Sequence, residues 1–343
     1  MPEKSGVGLL SLAHAHVGIY ADEIAKMTDA RVAAVWDEDP ARGTAKAKAL
    51  GADFVGDLHS FLSYPGMDGV IIGSETSKHT EHVLAAAEAG KPVLLQKPMA
   101  TRIEDCDKIL EGIKKTKTPF SMAWQMRCDP QNQWIRRTVQ AGEFGRIGMV
   151  RRRHGLSTQL WPGFEKSWHV NPKLNVGMFF DDAAHPLDWM VWTFGRPRAV
   201  SAEIRTVLNK NIPDDNGAAL FSYDGGMTVV IECSFTCVAA DDTTNIYGEK
   251  GTILQRWGDA TSTTPGADPR GLRFKRAGES GWSEVDIPSP PAHGERIKAV
   301  ARPGVEFLMG QRPALATAAE GRENVELLLA CYKSSKEGRR VEL

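Results

Sequence analysis

The sequence predicts an α/β fold: an N-terminal doubly wound parallel sheet of Rossmann type, then an α+β domain on a large, mostly antiparallel open sheet. Three observations carry this expectation. Short continuous apolar runs alternate with helical stretches of roughly 10–15 residues at the start of the chain, the pattern of buried parallel strands joined by crossover helices. After Asp129-Pro130 that rhythm gives way to runs in which apolar and polar residues alternate, the period of half-covered strands. At 343 residues the chain also exceeds what one hydrophobic core usually serves. The expected division is a first domain over 1–125 and a second over 126–343.

Val7–Leu12 reads as the first buried strand, and Ile19–Met27 as the helix that follows. Arg31–Trp36 is a second strand, ending on Asp37. Asp39-Pro40 is a cap and first-turn pair that opens a helix over Pro40–Leu50. Gly69–Ile72 is a third strand, and Lys78–Ala89 a helix stopped by Gly90. Val93–Gln96, Ile103–Lys114 and Pro119–Ala123 supply a fourth strand, a helix and a fifth strand. In the second domain a helix over Gln131–Ala141 leads into a long strand, Ile147–Leu156, and Asp182–Phe194 is a further helix. Strands are expected over Ala199–Val207, Ala218–Tyr223, Met227–Phe235, Thr244–Tyr247 and Thr252–Arg256. Pro265–Arg270 and Pro288–Gly294 read as loops, and a helix over Ala319–Lys333 closes the chain.

Composition excludes several classes. The apolar content is 42% and the net charge −1, which argues against disorder and against a field that would gather nucleic acid. No apolar run approaches the roughly 20 residues a membrane span needs. The N-terminal apolar run is too short to read as a secretory signal, and five irregularly spaced cysteines suit reduced thiols in a cytoplasmic protein. No H-x-x-x-H or H-E-x-x-H spacing marks a metal site.

The turn after the first strand has the architecture of a dinucleotide site without its glycines. Ser11, Ala13 and His16 stand where G-x-G-x-x-G would put them. Small Ser11 and Ala13 still admit a close backbone approach, and His14 or His16 can hydrogen-bond a phosphate. The structural alternative is a plain strand–helix turn with two capping histidines. Asp37, ending the second strand, occupies the place of the acidic residue that binds adenosine ribose hydroxyls. With Glu38 beside it, the pair would repel a 2′-phosphate, favouring NAD over NADP.

The segment VIIGSETSKHTEHVLAAAEAGKPVLLQKPMA (70–100) resembles the region around the Glu-Lys-Pro motif of the glucose–fructose oxidoreductase/inositol dehydrogenase/rhizopine-catabolism (Gfo/Idh/MocA) family. Ser74-Glu75-Thr76, His79, Ala89-Gly90-Lys91 and Gln96-Lys97-Pro98 keep the family's spacing, with Gln96 in place of its usual Glu. A second segment, WHVNPKLNVGMFFDDAAHPLDWM (168–190), is similar to the family's glycine-rich stretch with Asp181, His185 and Asp188 in register. Asn175 and Val176 replace two of that stretch's three glycines. The resemblance implies that Lys97, Asp181 and His185 form the catalytic group. It further implies coenzyme contacts by Ser11, Leu12, Ala13, His14, His16, Asp37, Ser74, Glu75, His79, Gln96 and Lys97. A homodimer or homotetramer, paired through the second sheet's open face, is implied as well.

Those residue types suit hydride transfer between the secondary hydroxyl or ketone of a sugar, cyclitol or glycoside and a nicotinamide. An imidazole can take the alcohol proton near neutral pH, so His185 is the expected base. Asp181, one helical turn earlier, can orient it or bind a neighbouring hydroxyl. Lys97 would stabilise the developing alkoxide. Arg127, Trp161, Trp168 and His169, with His154 and Lys173, are candidates for substrate contact, since tryptophan faces stack on sugars. A glycoside-cleaving enzyme that keeps NAD bound, and a non-catalytic dinucleotide sensor, are the alternative readings.

Overall fold

A computed structural model describes residues 4–239, 242–256, 270–290 and 293–343. The chain forms two compact units. The first comprises Met1–Gln125 with Lys173–Asn175 and Ile297–Val325; the second comprises Met126–Pro172, Val176–Arg296 and Glu326–Leu343. Two later segments therefore return to the first unit, which the simple division at 125/126 does not provide.

The first unit is built on six parallel strands: β1 (Ser5–Leu10), β2 (Ala30–Trp36), β3 (Asp53–Phe54), β4 (Gly69–Ile72), β5 (Val93–Leu95) and β6 (Phe120–Met122), in the order β3-β2-β1-β4-β5-β6. β4 and β5 are buried at every residue, as their uninterrupted apolar runs require. The crossover Pro40–Leu50 has the bounds its sequence predicts. The Asp39 carboxylate accepts from the amides of Ala41 and Arg42, Pro40 fills the first turn, and Gly51 closes the helix at φ 64°. Helix Ala15–Ile24 starts four residues earlier than expected, because His14 caps it.

The returning segment packs on this sheet. Met122 N donates to Ala316 O at 2.9 Å, and Arg302 makes two hydrogen bonds to Asp29. Gly304 in helix Ala301–Leu308 lies so close to Leu94 that an added Cβ would come within 2.6 Å of it.

Among the described residues the second unit holds nine strands: β7 (Ile147–Gly155), β8 (Ala199–Arg205), β9 (Asn216–Ser222), β10 (Thr228–Ser234), β11 (Thr244–Gly248), β12 (Gly251–Gln255), β13 (Leu272–Arg276), β14 (Ser283–Glu284) and β15 (Val341–Glu342). Their order is β14-β13-β12-β11-β7-β10-β9-β8-β15, antiparallel except for the parallel pair β7/β10. On β7, Val150, Arg152 and His154 turn inward, while Met149, Arg151 and Arg153 face out. Outward Arg151 pairs with Glu232 of β10 through two hydrogen bonds, and inward Arg152 stacks on Trp189 at 4.3 Å.

The helix expected over Asp182–Phe194 is two, Met178–Asp182 and Ala184–Phe194. Its earlier start follows from a close approach at Gly177. A Cβ there would lie 2.1 Å from an oxygen of Asp214 and 3.1 Å from the Tyr332 hydroxyl. That hydroxyl accepts from Phe180 N and donates to Asp214, which fixes the short helix on the unit. Strands β13 and β14 lie beyond the expected elements. The loop expected over Pro265–Arg270 lies outside the described residues except for Arg270. A helix, His293–Lys298, begins inside the expected Pro288–Gly294 loop.

Candidate active site

In the first unit the candidate coenzyme residues gather at the carboxyl edge of the parallel sheet. The loops after β1 and β4 flank the point where the strand order reverses, the usual place for a nucleotide in such sheets. His14 N donates to Gly73 O and joins these two loops. Ser11 adopts φ 67°, a left-handed conformation that glycine takes without strain. Its hydroxyl accepts from Ala13 N, a local bond that favours the turn in place of the missing glycine.

The Asp37 carboxylate is fully occupied. One oxygen accepts from Leu12 N and Arg42 Nε, the other from Asp39 N and Arg42 Nη2. Arg42 thus neutralises the carboxylate expected to repel a 2′-phosphate, and Lys78 bridges Glu38 and Glu75 in the same way. The pairing of Asp37 raises the pKa of Arg42.

Gln96 and Lys97 follow β5 and are buried. The Gln96 amide donates to the Tyr20 hydroxyl at 2.6 Å, and its oxygen accepts from Lys97 N. His79, expected against the coenzyme, is enclosed by backbone carbonyls. Its Nδ1 lies 2.8 Å from Pro98 O, its Nε2 lies 3.1 Å from Ser74 O, and no part of it is exposed. Its ring lies between the turn after β4 and the turn that carries Lys97, and as a neutral imidazole its single N–H donates to one of these carbonyls. Burial holds it neutral, with a pKa lowered to about 4. Neighbouring His82, bonded to the Ser74 hydroxyl and set edge-on to Trp36, is likewise lowered to about 4 by burial.

A dinucleotide suits this edge. The amide end of the ten-residue helix Ala15–Ile24 carries no acidic residue in its first turn, so nothing there opposes a phosphate. A hollow of about 400 Å³ lies beside it, lined by Leu12, Ala15, Gly18 and Arg42 among others.

In the second unit, Asp181 and Asp182 end the short helix and His185 begins the next; all three are buried. Asp182 is a carboxylate partner of His185, with Oδ1 3.8 Å from Nε2, and its other oxygen lies 2.7 Å from His154 Nε2. His154, a candidate for substrate contact, is thereby engaged behind His185. Arg127 and Asp188 make a buried two-bond ion pair, at 3.0 and 2.6 Å, which anchors the His185 helix. Trp161, Phe164, His169 and Trp168 form a run of ring contacts along 161–169, with ring centroids 5.5, 5.5 and 3.9 Å apart. Lys173 belongs to the first unit. Sequence reasoning missed Asp182 and the Asp242 carboxylate near His154. The doubled aspartate of FFDDAAH, with one member three residues before a histidine, was the available signal. Among the described residues, no group of three or more His, Cys, Asp or Glu is arranged to hold a metal ion.

A doubly wound sheet with a nucleotide edge, followed by a second unit bearing a buried Asp–His cluster on a mixed sheet, defines a two-domain oxidoreductase of Rossmann type. Residues 6–123 match the model of the oxidoreductase family with an NAD-binding Rossmann fold, and residues 132–254 match the GFO/IDH/MocA C-terminal domain. The chain belongs to the Gfo/Idh/MocA family. Inositol 2-dehydrogenase 3 of Saccharopolyspora erythraea is 28% identical over 233 residues, a stretch covering 66% of each chain. The scyllo-inositol 2-dehydrogenase (NAD(+)) of Bacillus subtilis is 26% identical over 260 residues, covering 73% of this chain and 71% of that one. A crystal structure of aldose-aldose oxidoreductase from Caulobacter crescentus superposes with a TM-score of 0.80 at 20% identity, covering 99% of this chain and all of that one. Levoglucosan dehydrogenase in complex with NADH gives 0.83 at 19% identity, covering 99% of both chains. At these identities the structural likeness speaks to the fold.

Proposed function

We propose that the protein is an NAD-dependent dehydrogenase that interconverts a secondary hydroxyl and a ketone on a sugar, cyclitol or glycoside. The observation that carries the reading is Lys97, a lysine 2% exposed on the nucleotide edge of a parallel sheet. Lysine is almost never buried this fully without a partner or a use, so its place here calls for a function. The inositol dehydrogenases among its relatives support the substrate class.

Ser11, Leu12, Ala13, His14 and His16 would hold the coenzyme's pyrophosphate, and Asp37 its adenosine ribose once Arg42 turns outward. Ser74, Glu75 and Gln96 would line the remainder of its path. A bound coenzyme would supply the hydride-accepting chemistry for the carbinol carbon. His185 then takes the hydroxyl proton, Lys97 stabilises the oxygen as its charge develops, and Asp181 holds a neighbouring hydroxyl or the imidazole. The aromatic run containing Trp161, Trp168 and His169 offers faces to the substrate's C–H surface. Arg127 acts through Asp188, keeping the His185 helix in place. The outward face of the second sheet, where Met149, Leu220 and Tyr247 are each more than two-fifths exposed, supports pairing between copies.

A polyol and cyclitol panel with NAD tests the proposal. The expected result is net NADH formation, reduced roughly 10²–10⁴-fold by Lys97→Ala. Glycoside cleavage without NADH accumulation would point to the bound-coenzyme alternative. Coenzyme binding without turnover of any substrate would defeat the dehydrogenase reading.

A further inference from the structure

Behind His185 the second unit buries a row of side chains that the reaction above does not use. Asp182 Oδ1 lies 3.8 Å from His185 Nε2, and Asp182 Oδ2 lies 2.7 Å from His154 Nε2. His154 Nδ1 lies 3.9 Å from Asp242 Oδ2, and the other oxygen of Asp242 accepts from Gly155 N at 2.8 Å. All four residues are less than a tenth exposed. Imidazole and carboxylate thus alternate from His185 to Asp242. The row ends at a cavity of about 190 Å³ where β7 and β10, the parallel pair, share their carboxyl ends. Its buried wall includes His154, Cys233 and Asp242, and exposed Arg153 and Ala239 stand among its lining residues.

We propose that Asp182, His154 and Asp242 form a proton relay from His185 to this cavity. The inference rests on the dehydrogenase reading, in which each alcohol oxidised releases one proton. His185 gains the hydroxyl proton at one nitrogen and loses the Nε2 proton to Asp182. The Asp182 carboxyl, protonated on Oδ1, turns to hand that same proton to His154 Nε2 and returns to the carboxylate, while His154 Nδ1 passes its own proton to Asp242. Asp242 releases it to water in the cavity, so every group gains one proton and loses one. The central step is a hydrogen bond. The two outer steps exceed hydrogen-bond length and close with a carboxylate movement of about 1 Å.

Two features favour a relay over a structural polar cluster. Buried charged networks are often no more stabilising than apolar packing of the same volume, so a row of four such groups calls for a use. The row also has direction, leading from the candidate base to a cavity with exposed residues in its lining. The groups around His154 are Asp182 and His185 from the helices, Cys233 from β10, Asp242 before β11, and Glu232 and Arg153 about the cavity. Cys233 stays a thiol, because burial and the nearby carboxylates raise its pKa.

The experiment uses the full chain with His154→Gln and, separately, Asp242→Asn, after thermal melting confirms that each is folded. In the ligand-free protein, imidazole nitrogen NMR follows the His185 titration. The expected result is a midpoint displaced by about half a pH unit or more in both variants. During polyol oxidation, kcat should fall on the order of 10-fold with KM little changed, and a small imidazole buffer should restore it. An unmoved His185 midpoint, or a kcat loss that no buffer recovers, would overturn the relay. If no polyol is oxidised, the dehydrogenase reading falls, while displaced midpoints still uphold the coupled row.

Discussion

At the scale of single residues, two buried histidines make the first unit sensitive to acid. His79 and His82 have pKa values lowered to about 4 by burial, against about 6.5 in an unfolded chain. Between those values the unfolded state binds more protons, so stability is present above about pH 6.5 and is lost as pH falls toward 4. Each group accounts for roughly 3 kcal/mol at neutral pH by this linkage. The melting temperature should fall steeply between pH 6.5 and 4.5, and His82→Gln should flatten that fall; an equal slope in the variant would refute the assignment. Lys97 was legible as a candidate only through the resemblance of residues 70–100 to the family's Glu-Lys-Pro region, since a lysine before proline taken alone is usually solvent-facing. Asp182 was not, because two adjacent carboxylates cannot be told apart until a backbone turns one of them toward an imidazole. The Arg42–Asp37 pair escaped for a similar reason: an ion pair five residues apart depends on how strand end and helix start meet.

Among the elements, legibility follows the strength of local signals. Pro40–Leu50 was readable to its ends, since Asp39, Pro40 and Gly51 mark them. Asp39→Ala removes the bonds to two helix amides and should cost about 1 kcal/mol, read as a lower urea midpoint at unchanged slope. Elements as short as Asp53–Phe54 and Val341–Glu342 carry no measurable period, so only their partners reveal them. The start of helix Met178–Asp182 was hidden because it is set by Gly177 lying against Asp214 and Tyr332, both far away in sequence. Gly177→Ala should therefore destabilise the protein by at least 1 kcal/mol, on the order of an overpacked core site, measurable as a lower melting temperature.

For the molecule as a whole, the fold class of each unit was legible and the chain's path between them was not. Strand periodicity carries the first, whereas the return of Ile297–Val325 to the first unit depends on contacts such as Arg302 with Asp29. Ligand linkage offers a test at this scale. A coenzyme present at 100 times its dissociation constant adds about 2.7 kcal/mol to stability, so NAD should raise the melting temperature by a few degrees. NADP should raise it less if Asp37 receives the ribose, and Arg42→Ala should widen that difference by removing the cation a 2′-phosphate would meet. The nine-stranded sheet has a consequence for storage and crowding. Its outermost strands, β14 and β15, are two residues each. A ladder that short presents too few open amides and carbonyls to recruit a further chain, so the sheet's margins resist fibrous growth even at high concentration.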